Sequence, residues 1–123
     1  MERTGARPLN ERERGLLDAA LAHDFVGVEA LRAQTVGVQA RPGCSCGCGT
    51  IELVPQDQEA PRSSAASPVP AEGRVRDGEG NEIGGLLVFV RDGLLDSLEV
   101  YSYDEPPLPL PDPGRVDWQV FPR

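Results

Sequence analysis

Hydrophobic and polar positions change period along this chain, and each change marks an element. Leu16, Leu17, Ala20 and Leu21 recur at helical spacing, while Glu11, Arg12, Glu13, Arg14 and Asp18 fall on the other side. Asn10 followed three residues later by Glu13 has the form of a capping box, so the pattern predicts a helix from about Glu11 to His23. Gly15 within it costs about 1 kcal/mol relative to Ala, so tertiary packing has to hold the helix. Phe25, Val28 and Leu31 predict a second helix from about Phe25 to Gln34, with Asp24 as its cap. Both helices are too short to persist alone. They are expected to pair as an αα-hairpin or corner and to rest on a sheet.

From Thr35 the period shortens to two. Val36, Val38 and Ala40 share one face of a predicted strand over Thr35–Arg41, and Ile51 and Leu53 share one face of another over Thr50–Val54. Residues 42–49, PGCSCGCG, connect them. Glu72–Arg76 reads as a short polar strand suited to an edge. Asp77–Asn81, DGEGN, has oxygen side chains at alternate positions, as a calcium loop does. An EF-hand, however, requires Gly where Glu82 stands and Glu where Val88 stands, so a turn is expected.

The strongest signal is Gly84–Tyr103, GGLLVFVRDGLLDSLEVYSY, in which Asp92-Gly93 separates two apolar runs. Asp-Gly between such runs predicts a tight hairpin turn because Gly accepts the positive φ that the turn demands. Two registers fit. A two-residue loop sets Leu87 and Phe89 on the face of Leu94 and Leu98; a type I turn with a Gly bulge sets Leu86, Val88 and Val90 there. Because both faces of the first strand are apolar, it is expected to be central and covered on both sides, or nearly so. The fold class that follows is α+β, two N-terminal helices packed on a four- to five-stranded antiparallel sheet.

Other stretches lack periodicity. Residues 1–8 are expected to be disordered, residues 9–103 to form one domain, and residues 55–71, rich in Pro, Ser and Ala, to be a flexible loop within it. Residues 104–123 begin DEPPLPLPDPG and read as a Pro-rich C-terminal tail of extended polyproline II character. Leu108, Leu110, Trp118 and Phe121 argue that this tail folds back on the domain, since a lone exposed Trp is costly to leave wet.

A net charge of −8 and a sequence pI near 4.6 argue against a nucleic-acid partner and against an anionic membrane surface. The same charge is compatible with a basic protein partner. The N-terminus lacks the apolar core of a signal peptide, and the three Cys are odd in number and clustered rather than dispersed, so a reducing, cytoplasmic setting is expected.

Cys44, Cys46 and Cys48 form the one group with a chemical flavour. Thiolates are soft ligands for zinc or copper(I), and His23 or Asp24 is a candidate fourth ligand. Structural zinc sites more often join two C-x2-C-like halves, and Cys also packs as a small hydrophobe, so the alternative is a tightly packed loop. A Cys44–Cys48 disulfide is a further option. With a single His, no catalytic set assembles; His23 suits a helix C-terminus. Glu99, Tyr101 and Tyr103, on the outward side of a strand, read as a small polar recognition patch or as ordinary strand surface.

The runs L-N-E-R-E-R-x-L-L at Leu9–Leu17, D-F-x-G-x-E-x-L-R-A-Q at Asp24–Gln34, the Cys-Gly cluster and D-G-x-L-x-x-L-E-V-Y-S-Y at Asp92–Tyr103 with its PDP sequel resemble a group of small actinobacterial proteins without an assigned activity. The group's cluster reads C-G-C-G-C-P, from which Ser45 and Gly49 depart. The resemblance implies a cytoplasmic setting. Size, acidity and element order are also similar to those of immunity proteins, which act by binding toxins. Together these readings predict a non-enzymatic protein acting through protein contacts, an inhibitor of a basic partner, with a thiolate metal-binding protein as the alternative; they leave the oligomeric state open.

Overall fold

The computed structural model describes residues 5–43, 48–57, 59–104 and 106–121. Among them lie β1 (Arg7–Pro8), α1 (Glu11–Leu21), α2 (Val28–Gln34), β2 (Gln39–Pro42), β3 (Ile51–Val54), β4 (Ala71–Arg76), β5 (Glu82–Arg91), β6 (Leu94–Ser102) and β7 (Val116–Val120). The strands form one antiparallel sheet in the order β1-β2-β3-β6-β5-β4-β7. The α+β class holds, but the sheet has seven strands where four to five were expected. The two additions, β1 and β7, come from stretches that proline made look unstructured. Because β7 pairs with β4, β4 is interior and not the edge its polar sequence suggested.

Helix α1 starts where expected. Glu13 N–H donates to Asn10 Oδ1 at 2.8 Å and Asn10 N–H to Glu13 Oε1 at 2.9 Å, completing the capping box. Leu16, Leu17, Ala20 and Leu21 are all buried. Gly15 has a packing reason: a Cβ there would stand 3.2 Å from Pro113, which leads the 3-10 turn Pro113–Arg115 against the helix. Helix α2 begins three residues later than predicted. Gly27, at φ +88°, is its N-cap, and a Cβ there would meet Ala65 N at 2.4 Å. Asp24 pairs with Arg32 instead of capping, while Arg32 Nε donates to Leu21 O at the end of α1. The next strand also starts late. Gly37 turns the chain at φ +72°, leaving Val36 79% exposed while Val38 and Ala40 are buried.

Asp92 and Gly93 both have positive φ, as a two-residue hairpin turn requires. Arg91 faces Leu94 and Val90 faces Leu95; one residue further the register slips, and Phe89 faces Ser97. This bulge combines half of each predicted register: the turn is two residues long, yet Leu86 and Val88 face the core. It also lets Leu95 and Leu98, three apart, enter the same core.

The long β3–β4 connection rounds the tip of this hairpin, and its contacts are specific. Ser63 N–H donates to Gly93 O at 2.9 Å, Arg62 Nη1 to Asp92 O at 3.0 Å, and Val69 N–H to Val88 O at 2.9 Å. Val69 itself is fully buried. The proline-rich segment lies across the other end, on the helix-bearing face. Gly49 N–H donates to Leu108 O, and Leu110 is buried. Side chains at Gly49 or Gly84 would collide with Leu110 or Leu108, so these glycines make room for the segment.

Candidate functional site

Helices α1 and α2 and the 106–112 segment all pack on one face of the sheet, around Leu86, Val88, Leu98 and Val100. The opposite face is built from the alternate residues. Cross-strand register sets Arg41, Glu52, Ser97 and Phe89 in one row, Glu99 and Leu87 in the next, and Tyr101, Gly85, Arg74 and Asp117 in a third. The expectation that the first hairpin strand is covered on both sides is therefore corrected: Leu87 and Phe89 are half-buried, and Tyr101 and Tyr103 are exposed by 44% and 50%.

Gly85 explains how Tyr101 lies here. A Cβ at Gly85 would fall 2.3 Å from the Tyr101 hydroxyl, so the bare glycine lets the ring rest flat across β5. The Tyr103 ring stands 6.1 Å from that of Tyr101. Its hydroxyl donates to Glu82 Oε2, which also accepts from Arg74 Nη1 at 3.2 Å. These donors hold the Glu82 carboxyl below its ordinary range, the Tyr103 hydroxyl contributing most, and the same hydrogen bond raises the Tyr103 phenol. Arg76 donates to Asp117 and Arg41 to Glu52, and Glu99 accepts from Ser97 Oγ at 2.9 Å. The face thus has a short apolar and aromatic centre with charged pairs around it.

Sequence reasoning found Glu99, Tyr101 and Tyr103 on this surface. It missed Leu87 and Phe89, whose orientation depends on the bulge, and it missed Arg74, Glu82 and Asp117, which only strand pairing brings together. Their alternation within each strand was visible; the order of the strands was not.

Of the other candidates, those described do not converge. Cys44 and Cys46 lie outside the described residues. Cys48 is half-buried and packs against the core cluster. Among the described residues no group of three His, Cys, Asp or Glu side chains is placed to share a metal ion. His23 sits 6.3 Å from the Trp118 ring on β7, with Nδ1 3.0 Å from Ala19 O. The β7 lane is four strand spacings, about 19 Å, from the β3 lane that follows Cys48. Asp24 is engaged by Arg32. Asp77-Asn81 is the expected turn: Asp77 Oδ1 accepts from Glu79 and Asn81 N–H, which holds its carboxyl below the ordinary range. No described helix is long and apolar enough to cross a membrane.

Comparison with protein-family models, with curated protein sequences and with solved structures finds no match to this chain.

Proposed function

We propose that this is a non-enzymatic binding protein that acts in the cytoplasm by covering a basic surface of another protein with the open face of its sheet. The supporting observation is the asymmetry of that sheet. One face is buried under both helices, while the other keeps Leu87, Phe89, Tyr101 and Tyr103 at solvent within reach of Glu52, Glu82 and Glu99. Aromatic residues with a polar rim are what protein interfaces favour, because a ring supplies large contact area for little lost side-chain entropy. A net charge of −8 adds long-range attraction for a cationic partner. Inhibition follows directly if the covered surface is an active site.

The experiment is affinity capture with the intact chain and with a Leu87→Lys, Tyr101→Ala double variant, followed by titration of the purified partner. Both substitutions lie on the open face, so the fold is expected to survive. The expected outcome is one basic partner whose affinity falls at least about tenfold with the variant and declines with added salt. A partner held equally well by both chains would place the contact elsewhere. Turnover of a substrate, abolished by one side-chain change, would overturn the non-enzymatic reading.

A further inference from the structure

The two edges of the sheet are not alike. At one, β1 has only two residues, one of them Pro8, which has no N–H to offer, and the other a charged Arg. Short length, proline and charge are the usual means of blunting an edge. At the other edge, β7 has five residues, VDWQV, without proline or a bulge, and its one charge is held by Arg76.

Strand pairing shows which groups that edge presents. Phe121 N–H donates to Pro70 O at 2.9 Å, so by antiparallel alternation Gln119 and Asp117 also turn their backbone groups toward β4. The N–H and C=O of Trp118 and Val120 therefore point out of the sheet. Beside them, on the helix-bearing side, Phe25, Val26, Pro70, Val120 and Phe121 line a groove of about 400 Å³, with Val26 76% and Val120 42% exposed.

We propose that this edge pairs antiparallel with β7 of a second copy of the chain, making one sheet continuous across two molecules. The register centred on Trp118 is self-complementary. Trp118 of each copy exchanges backbone hydrogen bonds with Trp118 of the other, and the Val120 N–H meets the outward carbonyl of Val116. Asp117 then faces Gln119, not another acid, and its own charge is already neutralised by Arg76. Arg74 Nε donates to Gln119 Oε1 at 2.9 Å within each copy, which keeps the outer row ordered. A five-residue strand is about 17 Å long and buries much less than the roughly 1,200 Å² of a stable interface. The pairing is therefore weak and concentration-dependent. Because both copies carry −8, it strengthens with salt, the opposite of the salt response of a basic partner.

Sedimentation velocity of the full chain from about 10 μM to about 1 mM tests this. The expected result is a mass rising toward two copies, at lower concentration when salt is added. Val120→Pro removes an N–H that β4 does not use, so it should weaken association at least about tenfold while circular dichroism stays unchanged. Should that variant unfold, Val120→Lys, which alters only an exposed side chain and adds an edge charge, gives the same reading. A wild-type chain that stays monomeric throughout, association that weakens with salt, or folded edge variants that associate as the wild type does would each overturn the proposal.

Discussion

Glu13 shows how much one side chain carries. Its carboxylate is 5% exposed; it accepts from the N-cap backbone and takes two hydrogen bonds from Arg7, each 2.7 Å. The Arg7 guanidinium is the main reason that its pKa lies below the ordinary carboxylate value, with the Asn10 N–H adding to the effect against the cost of burial. A depressed carboxylate stabilises the fold above its unfolded pKa of about 4.3, and that stability is lost as pH falls through the lower folded value. Acid unfolding should therefore begin below about pH 4. Glu13→Gln should flatten the acid limb of a denaturation series and cost about 1–2 kcal/mol at neutral pH, since Arg7 is half-exposed and partly screened. An unchanged acid limb in that variant would assign the loss to other carboxylates. The capping half of this arrangement was legible in sequence as Asn10-x-x-Glu13. The ion pair was not, because it requires β1 to run beside α1.

At the scale of elements, Gln34 is the joint. It is 3% exposed, and its amide reaches three parts of the chain: Nε2 donates to Pro61 O and Gly93 O, and Oε1 accepts from Leu95 N–H at 2.8 Å. Helix α2, the hairpin turn and the long connection are tied by this one side chain. Gln34→Leu keeps the size but takes its acceptor from the buried Leu95 N–H, while Gly93 O keeps the Ser63 N–H, so a loss of about 1–3 kcal/mol is expected in urea unfolding. Limited proteolysis should also move to the 55–66 stretch in that variant. If stability falls while the cleavage pattern does not change, the amide holds the hairpin alone. Sequence periodicity found α2 but put Gln34 at its very end, with no sign that it is buried. A polar residue enters a core only where tertiary structure supplies acceptors, and those acceptors lie 27 and 59 residues away.

For the whole molecule, the sheet separates a covered face from an open one, and the two edges differ in the same way. The proposed uses follow from this: partner binding on the open face, self-pairing along β7. Neither use draws on the thiolate cluster. If Cys44, Cys46 and Cys48 form a packed loop and not a metal centre, elemental analysis of fully reduced protein, purified without added metal or chelator, should give well under one zinc or copper per chain. One equivalent of either, lost in Cys46→Ser, would revive the metal reading.

The chain's own pattern was enough for whatever depends on near neighbours. The start of α1, its buried Leu16, Leu17, Ala20 and Leu21, the Asp77 turn and the Asp92-Gly93 hairpin all rest on residues a few positions apart, where φ preference, capping and period act directly. Strand count, the bulge that chose which hairpin face is buried, the interior place of β4 and the recruitment of Val116–Val120 were decided only in three dimensions. Each depends on partners tens of residues distant, and proline, which blocks regular structure locally, gave no hint that the chain resumes a strand beyond it.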